Sequence, residues 1–130
     1  ILLIAGIVLI AISQSQNNEE NISARIQNSE IAILREIQLN NTLRAEIINI
    51  QNTSLPVEWE EFNISAPQTG AKITEKTPSY LECKAKICVT NDVCLLGDSA
   101  DKTVYAESVI ITATIQTYNP RILKLFCWEK

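Results

Sequence analysis

Histidine and methionine are absent from the 130-residue sequence, and glycine is scarce, with three residues. Without histidine, the Ser–His and Cys–His pairs that activate catalytic nucleophiles cannot form. Gly6, Gly70 and Gly97 lie too far apart in the sequence to form a glycine-rich phosphate-binding loop. Acidic residues are scattered, and a net charge of −4 provides no basic stripe for nucleic acid. We therefore expect neither an enzyme nor a nucleic-acid-binding protein, and we expect no cofactor.

Proline is missing from the first part of the chain, since all four prolines lie from Pro56 onward. Gly6 is the one glycine that precedes it. Because helix breakers are so rare there, we predict an N-terminal helix over residues 1–55. Residues 1–13 of this helix are apolar, whereas residues 14–55 form an amphipathic extension.

The amphipathic extension carries apolar residues at helical spacing on more than one side. They form two stripes, one of Ile22, Ile26, Ile33, Ile37 and Ile48 and one of Leu39, Leu43, Ile47 and Ile50. The spacing is too irregular for the strict heptad of a two-stranded coiled coil. We therefore expect this helix to pack against several neighbours.

The apolar residues at the start of the chain are predicted to be a self-association segment. Residues 1–12 contain no charged side chain, so their burial leaves no polar side chain unsatisfied. A helix of this length spans ~20 Å, less than the ~30 Å hydrocarbon core of a membrane. Each buried Ile, Leu or Val contributes ~1.5–3 kcal/mol, more than the ~0–1 kcal/mol of a surface salt bridge. The predicted polymerisation core comprises Ile1, Leu2, Leu3, Ile4, Ile7, Val8, Leu9, Ile10 and Ile12.

Residues 56–130, called the head below, have a different character, because prolines separate short segments of β-forming residues. These segments are Glu61–Ser65, Ala71–Thr77, Tyr80–Cys83, Ile87–Thr90, Val104–Tyr118 and Arg121–Trp128. The last two are the strongest strand signals, and we predict that Tyr118 to Arg121 forms the tight turn of a hairpin between them. The sequence therefore predicts an α+β fold, in which a long N-terminal helix precedes a small antiparallel β-sheet head.

All four cysteines, Cys83, Cys88, Cys94 and Cys127, lie in the head. An even number in so small a unit predicts two disulfides and an oxidising compartment. Their spacing lacks the paired short Cys-x-x-Cys knuckles of structural zinc sites, so we expect no metal. Three pairings are possible. We favour Cys83–Cys88 with Cys94–Cys127, because the second bridge would tie the final strand to the preceding loop.

Four N-glycosylation sequons occur close together in the sequence. Their acceptor residues are Asn21, Asn40, Asn52 and Asn63, each followed at the second position by Ser or Thr with no proline between. On an ideal helix they do not share one face. We expect Asn52 and Asn63, next to the head, to carry glycans most reliably and Asn21, nearest the apolar segment, least.

This layout resembles that of type IV pilin-like subunits. The resemblance rests on the apolar run Ile1–Ile12, the polar helical extension and the small β-rich head. Bacterial type IV pilins have Phe at the first mature position, Glu at the fifth and commonly Pro near position 22, where this chain has Ile1, Ala5 and Ile22. Archaeal pilins generally lack that Glu. Together with the sequons, this points to a similarity with archaeal adhesion pili.

The resemblance implies a structural subunit of an extracellular cell-surface filament. Its N-terminal helices would form a homopolymer, after a transient insertion of the apolar run into the membrane before assembly. Because the repeated contacts would be heterologous, the product would be an open helical polymer rather than a closed ring. The head would cover the outside, with covalent N-glycans facing solvent.

Two other classes of protein are compatible with the sequence. One is a membrane-anchored extracellular glycoprotein with a helical stalk and a disulfide-stabilised head. The other is a minor or accessory pilin that caps or primes a filament. A short basic leader ending at a prepilin-peptidase site before Ile1 would favour a pilin of either kind, whereas a longer apolar run would favour the anchored glycoprotein.

Overall fold

The computed structural model describes residues 2–96 and 102–130, with the side chains of residues 2–20 excepted. Four α-helices precede the sheet, namely α1 (Leu2–Leu39), α2 (Asn41–Ile48), α3 (Phe62–Ser65) and α4 (Pro67–Lys76). Short 3₁₀ turns occupy Asn52–Ser54 and Trp59–Glu61. The strands are β1 (Leu81–Cys88), β2 (Tyr105–Ala113) and β3 (Tyr118–Glu129). The fold is therefore α+β, with a helix near the N-terminus followed by a small antiparallel sheet.

The sheet has the strand order β1–β3–β2, so the last strand of the chain is the central one. β3 runs antiparallel to both neighbours, with Cys83 opposite Cys127 on one side and Glu107 opposite Leu125 on the other. Side chains alternate between the two faces of a strand. One face therefore presents a row of buried residues to the helices, namely Leu81, Cys83, Ala85, Ile87, Leu123, Leu125 and Cys127.

α1 lies against β2 and β3, and α2 packs against β2, β3 and α4. From Asn21 onward, where the side chains of α1 are described, the buried residues are Ile26, Glu30, Ile33, Leu34 and Ile37. Three of the five isoleucines of the first predicted stripe thus face the head from α1, and Ile48 of α2 is buried as well. Ile22 and Leu39 are exposed. The predicted amphipathic stripe is therefore an intramolecular packing surface over much of its length.

The helix does not continue to residue 55, because the backbone leaves the helical conformation at Asn40. The Asn40 side chain accepts hydrogen bonds from the backbone amides of Thr42 (3.0 Å) and Leu43 (3.2 Å). Asn40 is thus the N-cap of α2. An asparagine that bonds to the backbone in this way competes with helix continuation, even where proline and glycine are absent. The absence of proline and glycine therefore does not predict this helix end.

Two segments predicted as strands, Glu61–Ser65 and Ala71–Thr77, are instead mainly helical, in α3 and α4. The buried face of α4 consists of Thr69, Gly70 and Ile73. A side chain at Gly70 would place its Cβ 3.3 Å from the Cβ of Phe62, so α3 and α4 approach closely at this glycine. A threonine and a glycine supply two of the three residues of this face, so Ile73 is its one large apolar side chain.

The C-terminal hairpin exists, but the predicted turn at Tyr118–Arg121 is wrong. The turn is formed by Thr114 to Thr117, where the Thr114 amide donates to the Thr117 carbonyl (2.8 Å). The Thr114 hydroxyl also accepts from the amides of Gln116 (3.3 Å) and Thr117 (3.1 Å). Pro120 lies inside β3, where the register shifts between the Ile111–Arg121 and Ala113–Tyr118 pairs. Such an irregularity tolerates a residue without an N–H.

Candidate functional site

The predicted polymerisation core falls largely outside what the structure describes. Ile1 is outside the described residues, and so are the side chains of Leu2 to Ile12. Among the α1 residues whose side chains are described, Asn21 to Leu39, the first buried one is Ile26, which is fully enclosed. Within the described part of the chain, no helix has both the length and the apolarity that crossing a membrane requires.

The four sequon asparagines are all exposed, but they do not form one cluster. Asn21 is on α1, Asn40 links α1 to α2, Asn52 begins a 3₁₀ turn and Asn63 is on α3. Asn40 uses its side-chain oxygen as a helix cap. Its side-chain nitrogen, the atom to which an N-glycan is attached, takes no part in that cap. All four positions therefore satisfy the requirement that a bulky polar sugar reach solvent.

Asn63 differs from the other three because it borders an aromatic groove. This groove, called the Asn63 groove below, has a volume of about 600 Å³. Its lining includes Trp59, Asn63, Pro67, Ala71 and Thr74, with Phe62 and Gly70 beneath. The Trp59 and Phe62 rings are in contact, with centroids 5.1 Å apart and planes tilted by 48°. A groove beside Asn21 is lined only by polar and small side chains of α1.

A second groove of about 530 Å³ lies between α2 and the turn of the C-terminal hairpin. Arg44 projects from α2 into this region and donates a hydrogen bond to the carbonyl of Ala113. Ile115, at the tip of the turn, is fully exposed. The hydrogen bond from Arg44 thus holds the hairpin against α2. The side chain of Ile115 remains in solvent.

The cysteines form two disulfides, as predicted, but with a different pairing. The bonds are Cys83–Cys127 and Cys88–Cys94. The predicted Cys83–Cys88 and Cys94–Cys127 pairing is wrong, because the sheet register places Cys83 directly opposite Cys127 in the adjacent strand. Cys88 ends β1 and closes a short loop with Cys94 instead. Only strand register, which the cysteine spacing does not reveal, distinguishes the possible pairings.

Glu30 is a buried carboxyl that the sequence interpretation missed. It lies in the head-facing stripe of α1, between Ile26 and Ile33, and its exposed fraction is 0%. Neither side-chain oxygen has a hydrogen-bond partner among the described residues. Burial, together with repulsion from Glu107 on β2, raises the pKa of Glu30 to about 8. The sequence did contain a signal for this burial. Glu30 follows Ile26 by four residues and precedes Ile33 by three, so helical spacing places it in the same stripe.

Two side chains of β3 bind the chain at the end of α2 and just beyond it. Arg121 is buried, and its guanidinium donates to the carbonyl of Ile50 (2.9 Å). The side-chain amide of Asn119 donates to the carbonyl of Ile48 (3.1 Å). Burial lowers the pKa of Arg121. Carbonyls at a helix end lack partners within the helix, so these donors couple α2 to the central strand.

Within residues 21–96 and 102–130, no three His, Cys, Asp or Glu side chains are grouped so that they could hold a metal ion. Comparisons with protein-family models, with curated proteins and with solved structures found no match.

Proposed function

We propose that this chain is a structural subunit of an extracellular, type IV pilus-like filament and has no enzymatic role. The subunit polymerises through its apolar N-terminal helix, and a glycosylated, disulfide-stabilised head faces outward. The observation that carries the proposal is the order of two surfaces along the N-terminal segment. The apolar run ends at Ile12, and among the α1 residues whose side chains are described, from Asn21 onward, burial starts with Ile26.

With this order, one part of the helix packs on the subunit's own head and another part can serve assembly. The stripe of α1 from Ile26 to Ile37 is already occupied by the subunit's own head. In an uninterrupted helix, Ile12 and Ile26 are ~20 Å apart along the axis. That distance leaves the apolar run available for neighbouring subunits, which supports polymerisation through residues 1–12.

The head has features that suit an exposed extracellular position. Both disulfides form within it, and such bonds persist mainly in oxidising compartments. The four sequon asparagines are exposed, as glycan attachment requires. The proposal therefore places the head and its glycans on the outer surface of the filament, which supports an adhesive role.

The proposal is tested by placing a carboxylate in the apolar run. We expect Ile4→Asp and Val8→Asp to abolish filaments, because each repeated interface would then bury an unpaired charge at a cost of several kcal/mol. Filaments are scored by negative-stain electron microscopy. Near-ultraviolet circular dichroism and disulfide mapping check that the head still folds.

The matched control variants are Ile4→Leu and Val8→Ile, which keep the segment apolar and should retain filaments. Normal filaments from both aspartate variants would refute the proposal. Unmodified protein that purifies only as detergent-bound monomers would instead favour the membrane-anchored glycoprotein. Assembly only in the presence of a second, major subunit would identify a minor pilin.

A further inference from the structure

The Asn63 groove combines an apolar floor with a sequon at its edge. Trp59 is partly exposed and its ring packs on Phe62, which is buried. Gly70 lies beneath the groove, where the lack of a side chain lets α4 approach Phe62 closely. The groove volume of about 600 Å³ falls in the ~300–1,000 Å³ range of small-molecule pockets. Asn63 therefore lies at the rim of a cavity that is large enough for a ligand.

The chemistry of the lining fits a carbohydrate. One face of a pyranose ring consists of C–H groups, which pack on an aromatic ring, while its hydroxyls need hydrogen-bond partners. Trp59 provides the ring. Thr74, Glu60 and Glu75 supply polar atoms that can exchange hydrogen bonds with hydroxyls around the groove.

We propose that the Asn63 groove is a docking site for the first sugars of the N-glycan carried by Asn63 itself. The inference rests on the proposed function, since it requires a glycosylated chain. Because the sugar is covalently tethered at the rim, docking is intramolecular and does not pay the full entropic cost of binding a free ligand.

The other sequons provide an internal comparison. Asn52 lies on a 3₁₀ turn in which none of the residues is buried. The groove beside Asn21 has no aromatic side chain in its lining. A glycan at either position is held only by its covalent bond, so its removal has little effect on the folded state.

The test removes the glycan but keeps the asparagine that carries it. Ser65→Ala destroys the Asn63 sequon but retains Asn63, and Ser54→Ala does the same for Asn52. With the protein produced in its native host, we expect Ser65→Ala to lower the melting temperature of the head by ~4 °C and Ser54→Ala to leave it unchanged. Peptide mass spectrometry establishes which asparagines are occupied.

Trp59 supplies the second measurement. In the Trp59→Ala background the destabilising effect of Ser65→Ala should disappear, because the sugar has lost the ring on which it packs. Quenching of tryptophan fluorescence by acrylamide should increase in Ser65→Ala, since Trp59 becomes more accessible while Trp128 stays buried. Ser54→Ala should show the quenching of the unmodified protein.

Three results would overturn the docking proposal. The first is that Asn63 carries no glycan. The second is that Ser65→Ala and Ser54→Ala change the melting temperature and the quenching equally. The third is that Ser65→Ala still lowers the melting temperature in the Trp59→Ala background. None of these results bears on filament formation. That property is tested separately by the aspartate variants of residues 4 and 8.

Discussion

Glu30 has an ionisable carboxyl group in a fully buried environment. A carboxylate without a partner is strongly disfavoured in a buried site, so the side chain is held in its neutral form. The raised pKa means that the folded protein keeps a proton that the unfolded chain releases at a lower pH. Each unit of such a shift corresponds to ~1.4 kcal/mol. Glu30 therefore links the packing of α1 on the head to pH.

We expect the free energy of unfolding of the head to fall as the pH rises from the ordinary glutamate value of 4.5 to about 8. The sign follows because the native state binds more protons than the unfolded state throughout this window. The contribution of Glu30 is fully present below the window and lost above it. Urea denaturation at a series of pH values measures the slope.

Two variants isolate the cause of this pH dependence. Glu30→Gln removes the titration and should flatten the profile across the window. Glu107→Gln removes the repulsion from β2 and should move the upper end of the window to lower pH. A slope that is unchanged in Glu30→Gln would show that other groups control the pH dependence.

At the scale of the elements, the start of α4 is satisfied by a side chain that comes from another helix. Ala66, the residue before α4, has no side chain that can cap it. Glu46 of α2 takes this role, and its carboxylate accepts from the amides of Gln68 (3.1 Å) and Thr69 (2.8 Å). Because a carboxylate at a helix N-terminus also interacts favourably with the helix dipole, this contact joins α2 to α4.

We expect Glu46→Ala to destabilise the head by about 1 kcal/mol, the usual cost of losing an N-cap. Glu82→Ala is the matched control, since Glu82 on β1 is exposed and is not part of the Asn63 groove. That variant should change stability by less than ~0.5 kcal/mol. Equal losses in the two variants, measured by chemical denaturation, would contradict the capping role.

The elements also show which parts of the fold the sequence could predict. The alternating residues of β2 and β3 predicted two strands, and these do pair as an antiparallel hairpin. The turn position could not be predicted, since Thr114 makes the turn bonds that asparagine and proline more often supply. Pro120 is accommodated in the strand by a register shift, which only pairing with β2 reveals.

For the candidate sites, local motifs could be predicted but their surroundings could not. The Asn63 sequon is visible in the sequence, whereas its groove arises because Gly70 and Ala71 of α4 lie beside Trp59. The burial of Glu30 likewise depends on how α1 meets the sheet. Each is a tertiary property that residues distant in sequence determine together.

At the scale of the whole molecule, the two disulfides constrain the chain to very different extents. Cys83 and Cys127 are separated by 44 positions, whereas Cys88 and Cys94 are separated by 6. In the chain-entropy description, a bridge stabilises more when it closes a longer loop. The Cys83–Cys127 bond joins β1 to the central strand and therefore constrains most of the head.

We expect removal of the Cys83–Cys127 bond by paired alanine substitutions to cost about 4 kcal/mol and removal of Cys88–Cys94 about 2 kcal/mol. Melting curves of the two double variants give the comparison. Peptide mapping without reduction verifies the connectivity beforehand. A larger loss from the Cys88–Cys94 variant would show that the loop following β1 is the more important constraint.

The strand order also has a consequence for biosynthesis. β1 and β2 do not pair with each other, and both bond to β3, which ends at Glu129. No pairing between these three strands can form on the ribosome until β3 has been synthesised. A nascent chain thus carries β1 and β2 as strands without partners until β3 emerges. Such exposed strands are prone to aggregate, so a chaperone that binds the chain during this interval would protect it.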